Sequence, residues 1–307
     1  MAGRNQHERR NQGPRRCQVE GAWSGLIDIK AHINNVALHH TIFDLPFAFM
    51  GAVLAANGTP TIHDLIFIAL AITTGRAAAM ALDNLADLKY DKLQPRMSYR
   101  AMVSGRISKR EAKVFIVICL LLMVLSVMQL HPICIYLLPL AALPFLIYPF
   151  TKRFTGWCHL FLGLAIAMAP AGGWVAISGQ ITTPMVLLCI AVALWIGAFD
   201  AMYGAQDEEF DKSQGLHSLA VSYGAPNAFK LSAAMHVICI ACFFAVGVML
   251  SLGQLYFVGV GIAAGTLIYQ HRIVSPTDFS RVTQGYFMRN GIVSVAIFVC
   301  TWLSFYL

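Results

Sequence analysis

Hydrophobic runs close to the length that spans a bilayer follow one another along most of the chain. About 20 helical residues cross the ~30 Å hydrocarbon core of a membrane. Of the 307 residues, 58% are hydrophobic and 12% are charged, whereas a soluble domain has about 25% charged residues. The pattern predicts an all-α, polytopic membrane protein with about nine transmembrane helices around a central cavity. The runs cover 41–57, 63–82, 114–130, 133–150, 159–178, 183–203, 229–252, 254–270 and 287–307.

Basic residues are concentrated on one side of this predicted bundle. The turns after the odd-numbered runs carry no Lys or Arg, whereas the N-terminal segment and the loops after the even-numbered runs hold nearly all of the 22. By the positive-inside rule, we expect a multi-pass protein of the cell (inner) membrane with its N-terminus in the cytoplasm. The net charge of +7 then reflects topology and attraction to the lipid surface, and it does not indicate nucleic-acid binding.

Two regions follow from the distribution of apolar residues. Residues 1–22 are basic and contain neither an apolar core nor a cleavage site, so they predict a disordered cytoplasmic tail and not a secretory signal. Residues 23–307 form the single transmembrane domain. The cysteines are scattered, and the C-x-x-C of Cys239 and Cys242 lies inside an apolar run, which favours packing over redox or zinc chemistry.

An acidic stripe marks the end of the second run. Asp83, Asp87 and Asp91 recur every four residues, which places them on one face of a helix, and Arg76 lies two turns before them on the same stripe. Three clustered carboxylates repel one another unless a multivalent cation or basic groups neutralise them. The stripe therefore predicts a metal site.

A second stripe follows the sixth run. Asp200, Tyr203, Asp207 and Asp211 are spaced so that all four lie on one helical face. Both stripes follow even-numbered runs, four runs apart, so both are expected at the cytoplasmic surface. This arrangement predicts two pseudo-repeated halves that bring the carboxylates together across a shared cavity.

Prolines and a basic turn lie between the stripes. Pro139, Pro144 and Pro149 interrupt the fourth run, and helices broken in this way are tolerated where protein or a cavity supplies polar partners. The turn that follows contains Lys152 and Arg153, which serve either as topological anchors or as anion ligands.

These groups suggest one chemistry. Mg²⁺ takes a few carboxylates together with water and phosphate oxygens, so two opposed Asp clusters can bind a diphosphate through metal ions. Arg76, Lys152 and Arg153 would add positive charge to this leaving group. Departure of diphosphate from an allylic carbon generates a carbocation that an electron-rich acceptor traps, and an apolar bundle would house the prenyl tail.

The two stripes resemble the paired motifs of the UbiA superfamily of intramembrane prenyltransferases. The first family motif, N-x-x-x-D-x-x-x-D, is matched except that Asp83 stands in place of Asn, with Asn84 after it, and the second matches from Asp200 to Asp211. The segment from Tyr148 to Arg153 also resembles the family's Tyr-Pro-x-x-Lys-Arg turn.

The resemblance implies a role for each motif position. Metal ligation falls to the five carboxylates that include Asp83, and catalysis to Asp87, Asp91, Asp207 and Asp211. Diphosphate binding falls to Arg76, Asn84, Lys152 and Arg153, and substrate binding to Tyr148, Asp200 and Tyr203.

The resemblance is closest to bacterial UbiA-like polyprenyltransferases of quinone biosynthesis, in particular those of the futalosine route to menaquinone. It implies Mg²⁺-dependent transfer of a polyprenyl group from polyprenyl diphosphate to an aromatic acid, either a dihydroxynaphthoate or 4-hydroxybenzoate, within the lipid bilayer. No obligate protein partner is indicated. The competing hypothesis is a transporter of a cation or an anionic solute, because charged intramembrane residues and broken helices also occur in transporters.

Overall fold

The computed structural model describes residues 29–36, 41, 43–282 and 284–307. The described chain is almost entirely helical, as the hydrophobic runs predict, and the tail predicted over residues 1–22 lies outside the described residues. The helices are α1 (Ile29–Asn35), α2 (Leu45–Ala56), α3 (Ile62–Ala86), α4 (Leu88–Asp91), α5 (Lys109–Val127), α6 (Ile133–Thr151), α7 (Cys158–Ser178), α8 (Thr183–Gly204), α9 (Glu208–Ser213), α10 (Leu219–Tyr223), α11 (Ala225–Met249), α12 (Gln254–Ile273), α13 (Gln284–Arg289) and α14 (Gly291–Leu303).

Each of the first eight hydrophobic runs coincides with one of these helices, and the ninth covers the end of α13 and the whole of α14. Five helical segments are both long and apolar enough to cross a membrane by themselves, namely Ile62–Ala86, Ile133–Thr151, Cys158–Ser178, Thr183–Ser213 and Ala225–Met249. Helices α2 and α14 are apolar but shorter. The described chain therefore has the predicted class of an integral membrane protein, and the count of nine spans stays a prediction.

The outer surface of the bundle is covered by large apolar side chains, which suit contact with lipid tails. Leu121, Leu125, Leu140, Val237 and Phe244 are each more than half exposed. A soluble protein rarely exposes contiguous apolar surface on this scale. These side chains are therefore expected to contact lipid tails and not water.

The core is centred on the contacts of α8 with α7 and α11. Trp195 is fully buried there, and its ring centroid lies 5.1 Å from that of Phe47 in α2. The Phe47 ring in turn stacks on the Phe243 ring of α11, with the centroids 5.8 Å apart. The indole Nε1 of Trp195 donates to Asn290 Oδ1 at 2.9 Å, so the polar end of this side chain is satisfied within the apolar cluster.

Helices α2 and α7 approach so closely that only glycine fits between their backbones. A Cβ on Gly51 would overlap the carbonyl of Pro170, and one on Gly173 would overlap the carbonyl of Ala48. Small residues at such crossings let membrane helices pack backbone to backbone. The contact fixes α7, and with it α8, relative to the start of α2.

Candidate active site

The first acidic stretch keeps its helical register across a break between α3 and α4. The backbone N–H of Asp87 donates to the carbonyl of Asp83 at 2.9 Å, and that of Asp91 donates to the carbonyl of Asp87 at 2.9 Å. Because these bonds join residues four apart, the three carboxylates stay stacked on one side. All three line the same small polar cavity.

The second acidic stretch leaves the α-helical path after α8. A 3₁₀ turn over Ala205–Asp207 precedes α9, and Gln206 Nε2 donates to the carbonyl of Tyr203 at 2.7 Å. Asp207 and Asp211 line the polar cavity that the first stretch also lines. The two carboxylate groups are therefore brought together across one space, but Asp200 and Tyr203, which the spacing places on the same helical face, do not line it.

This polar cavity has a volume of about 130 Å³. It contains eight of the predicted site residues, together with polar and aromatic residues that the motifs do not include. The predicted residues that line it are Asp83, Asp87, Asp91, Tyr148, Lys152, Arg153, Asp207 and Asp211, and the additional ones include Tyr90, Gln94, Met97 and Arg100.

Two of the additional residues contact the carboxylates directly. Arg100 Nη1 lies 2.6 Å from Asp91 Oδ2, and Gln94 Nε2 donates to Asp207 Oδ1 at 2.8 Å. Both belong to the segment between α4 and α5, where the sequence indicates only a basic loop. Their arginine and glutamine side chains match no motif, so the pairing of this loop with both acidic stretches is visible only in the fold.

The basic turn after α6 supplies two further cations. Lys152 Nζ lies 3.8 Å from Asp211 Oδ2, and Arg153 Nη2 lies 3.8 Å from Asp87 Oδ1. The guanidinium of Arg153 also donates to the carbonyl of Ala86 at 3.1 Å and lies over the rings of Phe150 and Tyr90. These contacts hold the turn against the end of α3, with a cation beside each acidic stretch.

Asn84 and Arg76 lie away from the polar cavity. The buried Asn84 side chain donates to the carbonyl of Asn35 at 2.6 Å, so it ties α3 to α1 while Asp83 faces the cavity. Arg76 forms a buried ion pair with Asp44 and lines a different, apolar cavity. The structure does not bring these two predicted diphosphate ligands together with Lys152 and Arg153.

Asp200 and Tyr203 lie deeper in α8. Tyr203 stacks on Phe199, with the ring centroids 6.2 Å apart. Asp200 Oδ2 contacts Nδ1 of His159 on α7 at 2.7 Å. No motif contains His159, and its place four residues after the basic turn's Thr155 gives no signal of this contact.

Burial disfavours charge on the carboxylates of the first acidic stretch. It raises the pKa of Asp87 to about 6, although Lys152 acts in the opposite direction, and Asp91 adds to the rise. Burial also lowers the pKa of Lys152, but the carboxylates of Asp211, Asp200 and Asp207 outweigh it and raise this pKa overall. A bound cation would therefore favour the charged form of Asp87, and Lys152 stays protonated beside the carboxylates.

The donor set fits Mg²⁺. The carboxylates of both stretches offer only hard oxygen ligands around one cavity, which is the chemistry that magnesium prefers. Within the described residues, no three acidic, His or Cys side chains are close enough to hold a metal ion by themselves. Carboxylates that are this far apart suit metal ions that also take oxygen ligands from a phosphate group and from water.

A larger apolar cavity of about 590 Å³ lies between α3, α5, α6, α7 and α8. Its walls include Leu82, Met123, Phe145, Leu164 and Ala193, and its only charged lining residues in the described chain are Asp44 and Arg76. Leu82 immediately precedes Asp83 in α3. The two cavities are therefore adjacent along this helix, one suited to a charged group and the other to a hydrocarbon chain.

Comparisons with known proteins identify the family of the chain. The model of the UbiA prenyltransferase family matches residues 45–292. A 4-hydroxybenzoate octaprenyltransferase of Vibrio atlanticus is 28% identical over 83% of this chain and 89% of its own length. A protein of the same name from Marinobacter nauticus is 30% identical over 80% of this chain and 83% of its own length.

Solved structures show the same fold. A UbiA homolog from Aeropyrum pernix K1 superimposes with a TM-score of 0.78 at 33% identity, covering 86% of this chain and 97% of its own. A UbiA homolog from Archaeoglobus fulgidus bound to DMAPP and Mg²⁺ superimposes with a TM-score of 0.65 at 18% identity, covering 88% of this chain and 99% of its own. With the family match spanning both acidic stretches and both cavities, the chain belongs to the UbiA prenyltransferase family and is a membrane-embedded prenyltransferase.

Proposed function

We propose that this enzyme transfers a polyprenyl group from polyprenyl diphosphate to a hydroxylated aromatic acid, in an Mg²⁺-dependent reaction of quinone biosynthesis. The observation that carries the proposal is the polar cavity lined by both acidic stretches and by Lys152 and Arg153, next to an apolar cavity of about 590 Å³. A diphosphate with a long hydrocarbon tail has the same division between charged and apolar parts.

The diphosphate would bind in the polar cavity. Asp87 and Asp91 on one side and Asp207 and Asp211 on the other would hold Mg²⁺, with Asp83 as an additional carboxylate on the same wall. Bound magnesium would neutralise the charge that develops on the departing diphosphate. Lys152 and Arg153, which lie 3.8 Å from Asp211 and Asp87, would donate hydrogen bonds to the same oxygens.

The remaining residues would control what happens to the carbocation. The apolar walls of the larger cavity hold the tail and exclude water, which would otherwise quench the cation. Tyr148, which lines the polar cavity, would contact the reacting end of the substrates, as would Asp200 and Tyr203 of α8. An aromatic acid agrees with the names of the relatives, and a dihydroxynaphthoate and 4-hydroxybenzoate are the two acceptors to compare.

Family membership supports prenyl transfer over the transport hypothesis. The fold also places the acidic side chains at the ends of α3 and α8 and not in the middle of either helix. A transporter site that alternates between the two sides of a membrane is instead expected near the midplane.

The distribution of basic residues supports a cytoplasmic position for both acidic stretches and for the N-terminus. We expect Ser98→Cys, in the loop after α4, to be shielded from a membrane-impermeant maleimide in intact cells, and Gln129→Cys, in the turn after α5, to be labelled. Both native side chains are exposed. The unsubstituted chain gives the background from its own cysteines, and the reverse labelling pattern would contradict this topology.

The direct test is an assay of the purified protein in detergent with a labelled polyprenyl diphosphate. Each of the two acids is offered separately, with Mg²⁺ or with EDTA. We expect Mg²⁺-dependent label in one acid and none with EDTA, because the carboxylates cannot hold the diphosphate without a cation. Transfer that persists in EDTA would contradict the metal dependence, and transfer to neither acid would contradict the acceptor class.

A further inference from the structure

In the sequence of α8 and the turn after it, Asp200 stands between a residue that lines the apolar cavity and one that lines the polar cavity. Ala193 lines the apolar cavity and Asp207 lines the polar cavity, and Asp200 stands seven residues from each. Seven residues are close to two helical turns, so Ala193 and Asp200 lie on one face of α8, and Asp207 follows in the 3₁₀ turn after the helix. A substrate with its diphosphate in the polar cavity and its tail in the apolar one would have its reacting carbon at the junction of the two, near this part of α8. Asp200 itself is a lining residue of neither cavity.

One carboxylate oxygen of Asp200 is hydrogen-bonded, and part of the side chain is exposed. Its Oδ2 contacts Nδ1 of His159 at 2.7 Å, while a quarter of the Asp200 side chain is exposed. The residues around it on α8, from Ile196 to Phe199 and again Ala201 and Met202, are buried. Asp200 also contributes to the raised pKa of Lys152, which places its charge within range of the polar cavity.

His159 is enclosed on the far side of this contact. Its side chain is 1% exposed, and its Nε2 is buried without a hydrogen-bond partner. The ring lies against Gly204, where an added Cβ would come within 3.2 Å of Cε1. The imidazole directs its Nδ1 toward the Asp200 carboxylate, to which it donates a hydrogen bond.

We propose that His159 is a positioning residue that holds Asp200 as the base for the proton released during aromatic prenylation. The inference rests on the proposed function. Breaking the C–O bond of the prenyl diphosphate sends the bonding electrons out with diphosphate, and a ring carbon of the acceptor then forms the new C–C bond to the prenyl cation. The same ring carbon must lose its proton to restore aromaticity, and the free oxygen of Asp200 receives it. His159 fixes the carboxylate so that this oxygen faces the junction.

Two substitutions separate positioning from packing. In His159→Asn, the amide Nδ2 occupies the place of the imidazole Nδ1, so the donor to Asp200 is kept while ring volume is lost. In His159→Phe, the ring volume is kept while the donor is lost. We expect the Phe variant to lose about 10²-fold in kcat and the Asn variant no more than about 10-fold, with the KM for polyprenyl diphosphate little changed in both.

A ring-deuterated acceptor reports on the proton directly. With deuterium at the carbon that becomes prenylated, we expect a primary isotope effect on kcat in His159→Phe and none in the unsubstituted enzyme, because loss of the ring proton becomes rate-limiting only when the base is misplaced. Release of diphosphate in the absence of acceptor should be the same in both, because it involves no ring proton.

The outcomes are distinct. Three results would each overturn the positioning role. The Phe variant could retain the full rate, it could show no isotope effect, or the Asn variant could be as impaired as the Phe variant. An equal loss of acceptor-free diphosphate release would also overturn it, since the defect would then lie in ionisation or folding. The unsubstituted enzyme assayed beside them tests the proposed function separately, through its transfer to the aromatic acid.

Discussion

Asp87→Ala and Asp207→Ala are each expected to reduce prenyl transfer by about 10³-fold while the protein remains folded and inserted. The two carboxylates line opposite walls of the polar cavity, one at the end of α3 and one after α8. In the proposed site, removing either would leave the diphosphate with metal support on one side only. Stability should be retained, because burial and the neighbouring Asp91 already raise the pKa of Asp87 and make its charged form costly.

The effect should be non-additive. If both carboxylates act on one metal–diphosphate unit, the double variant should be little slower than either single variant. Rates are compared at saturating labelled polyprenyl diphosphate and excess Mg²⁺, with folding monitored by gel filtration in detergent.

Glu209→Ala is the matched control for these variants. Glu209 is an exposed acidic residue two positions from Asp207 that does not line the polar cavity. It should retain the full rate. A loss in Asp207→Ala no larger than that in Glu209→Ala would contradict the proposed metal site.

Gly173→Ala is expected to destabilise the protein by about 3 kcal/mol, at the upper end of the range for overpacked sites. The added methyl group would overlap the carbonyl of Ala48, and backbone cannot move aside as a flexible side chain can. Helices α2 and α7 both pack in the core that contains Trp195. Pushing them apart would therefore also loosen the packing of that core. The midpoint of heat-induced aggregation in detergent should fall by at least about 5 °C.

Gly172→Ala tests whether this effect is local to the helix crossing. The neighbouring Gly172 has nothing within 4 Å of the position that a Cβ would occupy, and it faces the apolar cavity. Its substitution should leave stability unchanged or raise it by up to about 1 kcal/mol, because alanine favours helix over glycine. Equal losses in the two variants would show that glycine is required for backbone conformation and not for the contact with α2.

The sequence predicted those features that depend on spacing along a single helix. The hydrophobic runs predicted the helices because burial in lipid demands a long apolar segment whatever its neighbours are. The carboxylates of the first stretch stay in register because hydrogen bonds between residues four apart continue across the break at Asp87. The 3₁₀ turn at Ala205–Asp207 was not foreseen, since the local sequence there favours an unbroken helix.

The partners of the site residues depended on helix packing instead. Asp83 and Asn84 are adjacent in sequence, and only the position of α1 decides that Asn84 binds a backbone carbonyl while Asp83 faces the cavity. Arg76 likewise pairs with Asp44 because α2 begins beside α3. Both were expected to bind diphosphate, and their contacts are instead made with residues more than 30 positions away.

By itself, the sequence determined the membrane class, the order of the helices and the two acidic stretches, because each is fixed by local periodicity and by the solvent that surrounds the chain. Only the tertiary structure decided that Gln94 and Arg100 reach the carboxylates, that His159 holds Asp200 and that an apolar cavity adjoins the polar one. These contacts join segments distant in sequence, and they arise from how closely the helices can pack, which no single helix encodes.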